Sequence, residues 1–264
     1  MRFNNKCALV TGGASGIGRA VCLAFAREGA AIGVADVSQQ GAEATAQSVR
    51  KRGRRTLALK VDVTDPAAVK AMVERTVSQL GHIDILVNCA GVREIVPFLE
   101  LPFDEWQRVI ATNLTGTFLC SQAVAQHLVE QGRGGKIVNI ASVAGFMGVP
   151  NRAAYVSSKH AVVGLTKEMA IELGPKNIQV NAVAPAVVET AMTKSRLENP
   201  EFAASVKKAF PAGRWGQPEE IAKLILFLAS EDAGFITGAI FPIDGGYSAG
   251  KGIMVEKENN YCKP

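Results

Sequence analysis

The segment AAYVSSKHAVVG, residues 153–164, places Tyr155 and Lys159 four positions apart among small residues. On a helix, positions i and i+4 lie one above the other on the same face, so a phenol and an ammonium group would be neighbours. One interpretation is a surface pair without a role. The other is a phenol whose proton is labile because a cation lies beside it.

A glycine-rich loop, TGGASGIG at residues 11–18, lies between a strand-like apolar run and a helix-like segment. Its glycines allow a sharp turn and let a ligand approach the backbone. The N-terminus of the following helix offers free N–H groups and a positive dipole end, which suit a pyrophosphate. The spacing is GxxxGxG instead of GxGxxG, so a plain strand–helix turn is the alternative. The candidate cofactor-binding residues of this loop are Gly12, Ser15, Gly16, Ile17 and Gly18.

An acidic residue, Asp36, ends the second strand-like run. A carboxylate at this place can accept hydrogen bonds from both hydroxyls of an adenosine ribose, and it would repel a 2′-phosphate. Residues 37–40 read VSQQ, and no basic residue stands there to hold such a phosphate. The sequence therefore favours NAD over NADP, with a helix N-cap as the alternative role of Asp36. Asp62 and Val63, after the third strand, are candidates for the adenine side of the same site.

Composition restricts the class of protein. The chain has 264 residues, of which 48% are hydrophobic and 20% charged, which is enough for one large core and is not typical of disorder. The N-terminus lacks the apolar stretch of a signal peptide, and no apolar run is long enough to span a bilayer. The five cysteines and three histidines show no metal-ligand spacing. We expect a cytoplasmic protein with reduced thiols, no metal and no membrane partner.

A net charge of +5 raises the possibility of a nucleic-acid partner. The densest basic run, RKRGRR at residues 50–55, falls between a helix and a strand, at the N-terminal edge of the predicted sheet. Ligands of such sheets bind beyond the opposite edge, at the carboxyl ends of the strands. We therefore expect a solvated helix end and no nucleic-acid partner.

Strand-like and helix-like segments alternate along the chain, and the strands are near-continuous apolar runs. Both properties predict a parallel sheet with helices on both faces, the doubly wound, Rossmann-like α/β fold with about seven strands. The predicted single domain covers residues 1–250, with a substrate lobe or lid at about 186–217 and an appended tail at 251–264. The predicted strands are 6–12, 31–36, 56–63, 83–91, 136–142, 178–185 and 239–246, and the predicted helices are 16–28, 39–52, 66–80, 104–131, 152–174 and 218–230.

Four features in this order, TGGASGIG, NCAG (88–91), Ser142 after a strand and YVSSK (155–159), resemble the short-chain dehydrogenase/reductase superfamily in its short, single-domain branch. The resemblance covers about residues 2–250. It implies a nicotinamide cofactor, an alcohol or ketone substrate, catalysis without a metal and, most often in this branch, a homotetramer. Helices 104–131 and 152–174 would form one interface of that tetramer.

The resemblance implies specific catalytic roles. Tyr155 matches the acid/base, and Lys159 matches the partner that lowers the tyrosine pKa and holds the nicotinamide ribose. Ser142 matches the hydroxyl that orients the substrate oxygen, and Asn113 matches the residue that anchors a water leading to the lysine. Cofactor positions implied in the same way are Asn88, Ala90, Gly91, Tyr155, Lys159, Pro185, Val188 and Thr190.

Two departures from the family pattern stand out. Ala186 follows Pro185 where the family usually has glycine, which makes the contacts at Val188 and Thr190 less secure. Cys89 replaces the second asparagine of the common NNAG motif.

The substrate is less well specified. Segments 92–98, 143–151 and 186–215 should wall the pocket, and they are mostly apolar. We hypothesise a medium-sized, largely hydrophobic secondary alcohol or ketone, with alicyclic compounds included. Alternatives are an NADPH-dependent 3-oxoacyl-thioester reductase and, in another class, a non-catalytic dinucleotide-sensing or scaffold protein. The candidate pocket residues are Ser142, Val143, Phe146, Met147, Val149 and Arg93. An anionic group held by Arg93 or Lys194 is an alternative, but we expect both side chains to be solvated.

Overall fold

The computed structural model describes residues 1–250, and the predicted tail 251–264 lies outside the described residues. Seven strands of the described chain form one sheet in which every neighbouring pair is parallel, in the order β3-β2-β1-β4-β5-β6-β7. The predicted doubly wound, Rossmann-like fold is therefore confirmed. The strands are β1 (Cys7–Thr11), β2 (Ala31–Asp36), β3 (Thr56–Lys60), β4 (Ile85–Asn88), β5 (Gly135–Ile140), β6 (Ile178–Pro185) and β7 (Ile240–Ile243).

Helices connect these strands and differ from the predicted ones in two places. The predicted helix 104–131 is divided by a π-helical turn at Ala111–Thr115, and the predicted lobe 186–217 contains two short helices. The helices of residues 1–250 are α1 (Gly16–Arg27), α2 (Gln39–Arg50), α3 (Pro66–Leu80), α4 (Phe103–Ile110), α5 (Gly116–Gln131), α6 (Ala153–Leu173), α7 (Ala191–Leu197), α8 (Pro200–Ala209) and α9 (Pro218–Leu228). None of them is long and apolar enough to cross a membrane.

The sheet separates two apolar layers because successive side chains of a strand point to opposite faces. Val10 of β1 packs in the layer with α1, α2 and α9, whereas the adjacent Leu9 packs in the layer with α3, α5 and α6. Both residues are fully buried. This burial on both faces explains why the strands read as continuous apolar runs in the sequence.

Helix ends follow local signals. Asp65 caps α3 by accepting a hydrogen bond from the Ala67 N–H at 2.8 Å, and Pro66 occupies the first turn, where its missing N–H costs nothing. Gly81 ends the helix with a φ of 98°, a conformation that favours glycine. The bounds predicted for this helix, 66–80, are confirmed.

The carboxyl ends of the strands meet at one edge of the sheet. The strand order reverses between β1 and β4, and a crevice opens at such a switch point. The basic run 50–55 lies at the opposite edge, before β3, where Arg50 pairs with Glu43 at 2.6 Å and Arg55 donates to the Gln79 carbonyl at 2.7 Å. The fold therefore gathers the residues that follow each strand end at the crevice and keeps the basic run away from it.

Candidate active site

A groove of about 620 Å³ follows the carboxyl ends of β1 to β4. It brings together most of the residues predicted to bind a cofactor, although they are spread over much of the chain. Predicted residues that line it are Gly12, Ser15, Gly16, Ile17, Gly18, Asp36, Asp62, Val63, Ala90, Gly91, Tyr155, Lys159 and Thr190.

The glycine loop at the start of this groove tolerates no larger residue at two of its positions. Gly12 has a φ of 65°, and a Cβ on it would lie 2.8 Å from the Ala90 backbone. A Cβ on Gly18 would lie 2.1 Å from the Gly12 carbonyl oxygen. The loop is therefore folded tightly against the end of β4, and the N-terminus of α1 faces the groove, as an anion-binding turn requires.

Asp36 borders the groove at the end of β2. One carboxylate oxygen accepts the Ala14 N–H at 3.0 Å, and the other accepts the Ser38 N–H at 2.9 Å. Each oxygen can accept a further bond, so the carboxylate is held in place while it keeps acceptor capacity toward the groove. The lysine and arginine side chains that border the groove within residues 1–250 are Lys159 and Arg108, neither of which belongs to the β2 end.

Asn88 does not border the groove in this structure, and its predicted contact with the cofactor stays a prediction. Its amide nitrogen donates to the Ser121 hydroxyl and to the Asn139 side-chain oxygen, each at 2.9 Å. The residue points into the sheet's own packing because it is the last residue of β4, before the chain turns into the groove. Its role is to support the sheet.

A second cavity, of about 410 Å³, adjoins the groove. The predicted cofactor residues Pro185 and Val188 border this cavity instead of the groove, together with Ala186. Ala186 adopts a negative φ, so the side chain in place of the usual glycine is accommodated without strain. The residues that border both spaces are Ile17, Ile140, Tyr155, Thr190 and Met192.

Tyr155 lies where the groove and the cavity meet. Ser142, directly after β5, borders the cavity beside it, and its oxygen accepts the Ala144 N–H at 3.1 Å while its hydroxyl donates to the Pro185 carbonyl at 3.3 Å. Lys159 lies one turn along α6, with Nζ 5.7 Å from the centre of the Tyr155 ring, as the predicted offset requires. The structure thus brings the predicted catalytic phenol, hydroxyl and ammonium groups together.

The pKa of Tyr155 is shifted in the direction opposite to the one predicted from the sequence. Burial raises the pKa of Tyr155, and the hydrogen bond with Ser142 and the charges of Arg152 and Arg93 only partly offset that effect. Burial lowers the pKa of Lys159 to about 8, and its Nζ donates to the Ile140 carbonyl at 2.6 Å. The predicted lowering of the tyrosine pKa by Lys159 is therefore not found here, because desolvation disfavours the charged form of each group.

Asn113 lies in the π-helical turn, is fully buried and borders neither space. Its side chain accepts the Val92 N–H at 2.8 Å and donates to the Val92 carbonyl at 2.9 Å and to the Ser158 hydroxyl at 3.0 Å. It therefore clamps the loop after β4 to helix α6. The predicted water-anchoring role of Asn113 stays a prediction.

Two residues that the sequence did not single out hold the tyrosine in place. The Glu94 carboxylate, only 2% exposed, accepts the Tyr155 N–H at 3.1 Å in the first turn of α6. Arg152, which precedes that helix, donates to the Glu94 carbonyl at 2.6 Å. A carboxylate at a helix N-terminus is favoured by the helix dipole and satisfies a free N–H group. A glutamate distant in sequence leaves no local pattern, so only the fold reveals it.

Part of the predicted substrate pocket is also corrected. Val143, Val149 and Arg93 border the cavity, whereas Phe146 and Met147 do not, and Phe146 is 45% exposed. Residues Val143–Gly145 form a tight turn against α6, and a Cβ on Gly145 would lie 2.9 Å from the Lys159 carbonyl oxygen. Directly after that turn, Phe146 and Met147 lie outside the cavity, and the chain returns to it at Val149.

The lobe between β6 and α9 supplies the opposite wall of the cavity. Helices α7 and α8 place mostly apolar side chains there, and the Tyr247 ring stacks on Phe210 with a centroid distance of 4.9 Å. The lobe residues that line the cavity include Val187, Met192, Thr193, Arg196, Phe202, Ser205, Val206, Ala209 and Phe210.

This fold and site define a class of protein, and comparison with known proteins agrees. A family model described as enoyl-(acyl carrier protein) reductase matches residues 12–248. The chain belongs to the short-chain dehydrogenase/reductase superfamily. Members of this family use nicotinamide dinucleotides, and the chain is an oxidoreductase acting on CH–OH groups.

Curated relatives cover almost the whole chain. A 3-oxoacyl-[acyl-carrier-protein] reductase of Thermotoga maritima is 40% identical over 93% of this chain and 99% of its own length. D-threitol dehydrogenase of Mycolicibacterium smegmatis is 42% identical over 94% of each chain. Cyclohexanol dehydrogenase of an Acinetobacter strain is 38% identical over 94% of this chain and 97% of its own. Relatives of similar identity thus carry different substrates in their names.

Solved structures show the same fold with either nucleotide. An NAD+-bound xylitol dehydrogenase superposes with a TM-score of 0.89 at 36% identity, covering 93% of this chain and 100% of its own. A putative 2-deoxy-D-gluconate 3-dehydrogenase from Agrobacterium tumefaciens with bound NADP gives a TM-score of 0.87 at 37% identity, covering 93% and 97%. Overall similarity therefore does not distinguish NAD from NADP, and the preference has to be inferred from the residues of the groove.

The lowered pKa of Lys159 predicts a pH-dependent effect of Lys159→Met on stability. The folded protein releases this proton near pH 8 and the unfolded lysine near its ordinary value of 10.5, so the wild type binds fewer protons when folded between those values. Its free energy of unfolding should therefore rise relative to that of the variant, by about 2–3 kcal/mol between pH 7 and pH 10. Urea unfolding at the two pH values measures this difference. Lys70→Met, at an exposed site, is the matched control, and an equal pH response in both variants would contradict the prediction.

Proposed function

We propose that the protein is an NAD-dependent oxidoreductase that interconverts a secondary alcohol and a ketone on a medium-sized, largely hydrophobic substrate, alicyclic compounds included. The observation that carries the proposal is the position of Tyr155, which borders both the nucleotide-sized groove and the adjoining cavity, with Ser142 beside it. A phenol at this junction can exchange a proton with a substrate oxygen in the cavity while a neighbouring substrate carbon faces the groove.

The residues of the groove fit a dinucleotide. The tight glycine loop and the N-terminus of α1 suit a pyrophosphate, and the Asp36 carboxylate suits ribose hydroxyls. Lys159, which borders the groove beside Tyr155, suits the second ribose. A bound nicotinamide dinucleotide supplies or accepts the hydride.

Tyr155 serves as the acid in ketone reduction and as the base in alcohol oxidation. Because its pKa is raised, the phenol carries its proton at neutral pH and can give it to an oxygen that develops negative charge. In alcohol oxidation the same phenol must first lose its proton, so oxidation should become faster as the pH rises. Arg152 and Arg93 favour the phenolate, since their charges act against the effect of burial.

Ser142 and Lys159 assist the phenol. The Ser142 hydroxyl borders the cavity beside Tyr155, and its single proton, donated to the Pro185 carbonyl in this structure, can turn to the substrate oxygen as charge develops there. Lys159 is 4% exposed and donates to the Ile140 carbonyl, which fixes the ammonium group next to the tyrosine ring. Its lowered pKa makes it able to release a proton near pH 8, which suits a group that relays protons to and from the phenol.

The preference for NAD rests on Asp36. A 2′-phosphate beside this carboxylate would meet a like charge, and residues 37–40, VSQQ, offer no cation to offset it. The three-dimensional arrangement supports this reading, since both carboxylate oxygens are fixed by backbone N–H groups at the end of β2.

Fluorescence titration with NADH and NADPH tests this preference directly. We expect the wild type to bind NADH at least about tenfold more tightly than NADPH, a difference of roughly 1.4 kcal/mol. Asp36→Asn should shrink that ratio, because the repulsion is removed. Asp62→Asn, at the end of the neighbouring strand, should change both affinities alike and leave the ratio unchanged. Equal or tighter binding of NADPH by the wild type would contradict NAD dependence.

The nearest rival is an NADPH-dependent 3-oxoacyl-thioester reductase. It draws support from the Thermotoga relative, and tight NADPH binding would move it to first place. A non-catalytic dinucleotide-sensing or scaffold protein is the rival of another class. The presence of Tyr155, Ser142 and Lys159 in one cluster argues against it.

The acid/base role of Tyr155 predicts that Tyr155→Phe loses catalysis and keeps nucleotide binding. We expect kcat for oxidation of a model alcohol such as cyclohexanol to fall by about 10²–10⁴-fold, the range of general acid–base catalysis. The affinity for NADH should change by less than about threefold, which serves as the control for folding. A variant that retains most of its turnover would show that another group moves the proton.

We also propose a homotetramer, with α5 and α6 in one interface. These helices expose Phe118, Val129 and Ile171, and an apolar groove of about 420 Å³ runs between them. Sedimentation of the purified protein should give four times the chain mass of 27.9 kDa. Phe118→Asp should reduce the fraction of tetramer, because it places a charge on the apolar face. Phe235 is also exposed, so Phe235→Asp is the matched control and should leave the fraction of tetramer unchanged. A wild type that sediments as a monomer would refute the proposal.

A further inference from the structure

Three guanidinium groups border the cavity in which the substrate would react. Arg93 comes from the loop after β4, Arg152 from the residue before α6, and Arg196 from α7 of the lobe. The cavity was expected to be mostly apolar, and its remaining lining largely is. Three segments far apart in the sequence thus bring positive charge to the same cavity.

None of these three cations is neutralised by the part of the chain that the structure describes. Each makes a single contact of note: Arg93 donates to the Met192 carbonyl, Arg152 donates to the Glu94 carbonyl, and Arg196 stacks 4.0 Å from the Phe202 ring. Within residues 1–250, no carboxylate lies within 4.0 Å of any of them, whereas exposed arginines elsewhere have such partners. A guanidinium has five N–H donors, so most of these donors have no protein acceptor within residues 1–250.

Keeping these charges together is costly for the protein. Arg152 is only 6% exposed, and burial and the charges of Arg93 and Arg196 lower its pKa to about 10. Burial and the charge of Arg196 lower the pKa of Arg93 as well. An unpaired buried cation destabilises a fold, so a cluster of one buried and two half-buried arginines at a cavity indicates a site that is completed by an anion.

Glu94 does not complete the site. Its carboxylate does not border the cavity: one oxygen accepts the Tyr155 N–H, and the other is buried without a hydrogen-bond partner among the described residues. Three positive charges against this one negative charge leave an excess of positive charge at the cavity wall.

We propose that the substrate carries a carboxylate, which Arg93, Arg152 and Arg196 bind while its alcohol carbon lies at Tyr155 and Ser142. The substrate class is therefore a hydroxy acid and the corresponding oxo acid, with an apolar carbon skeleton against the lobe. A planar guanidinium pairs well with a carboxylate through two parallel hydrogen bonds. In the reaction, the hydroxy acid loses a hydride and a proton and becomes the oxo acid, and the carboxylate is unchanged. This inference rests on the proposed function for the reaction, but its binding test does not need turnover.

The test compares three probes that cannot react, because they lack a hydroxyl on the ring. Isothermal titration of the full-length protein with cyclohexanecarboxylate, cyclohexanecarboxamide and cyclohexyl phosphate separates charge from shape and carboxylate from phosphate. We expect the carboxylate to bind about tenfold or more tightly than the neutral amide, as hydrogen bonds to charged groups predict. The carboxylate should also bind more tightly than the phosphate ester. Equal binding of carboxylate and amide, or tighter binding of the phosphate ester, would overturn the proposal.

Two variants test whether the preference for the carboxylate over the amide arises in the cavity. Arg93→Gln and Arg196→Gln should each reduce the preference for the carboxylate over the amide by about tenfold. Arg50→Gln removes the same charge from an exposed helix end away from both spaces, and it should keep the full preference. A preference that survives in both cavity variants would place the anion elsewhere and overturn the proposal.

Turnover separates this inference from the proposed function. With NAD, 3-hydroxycyclohexanecarboxylate should give a kcat/KM at least about tenfold above that of 3-hydroxycyclohexanecarboxamide, mainly through KM. Turnover of the neutral compound with no preference for the acid would overturn the inference and leave the proposed function intact. Carboxylate binding that depends on Arg93 and Arg196, without hydride transfer to NAD or NADP from any alcohol, would support the inference and overturn the proposed function.

Discussion

The catalytic arrangement depends on the hydrogen bond between the Glu94 carboxylate and the Tyr155 N–H. It fixes the start of α6 relative to the loop after β4, and that loop carries Arg93 into the cavity. Arg152 and Asn113 hold the same loop from two sides, through the Glu94 carbonyl and the Val92 backbone. Tyr155, the proposed acid/base, is therefore positioned by hydrogen bonds between side chains and backbone that join the loop after β4 to α6.

The groove and the cavity at the sheet edge are built by different parts of the chain. The groove is built by the strand ends and the glycine loop, whose close packing admits little change. The cavity is built on one side by the residues after β5 and β6, and on the other side by the short helices of the lobe. Tyr155 borders both, so the proposed chemistry lies where the tightly packed glycine-loop framework meets the side chains of the cavity wall. This division agrees with relatives of similar identity that are named for different substrates.

Much of the fold could be predicted from local signals. The bounds of β2, α3 and β6 are as expected, because caps, prolines and apolar runs mark them, and the offset of Tyr155 and Lys159 follows from helical geometry. Burial of the two groups could not be predicted, and it reversed the expected shift of the tyrosine pKa. The outward direction of Phe146 and the convergence of three arginines depend on how separate segments pack, which no spacing in the sequence encodes. The cytoplasmic location stays a prediction.

The two ends of the lobe are tied to each other and to the loop after β7, and this has a consequence for evolution. Val188 pairs with Gly216, and the backbone of Ala212 bonds to Gly245, so both ends of the lobe are tied while α7 and α8 lie between these ties. Replacing side chains on those two helices changes the cavity wall without disturbing the sheet or the glycine loop. A gene duplicate of this protein could thus acquire a new substrate by altering one short segment, with its hydride chemistry inherited intact.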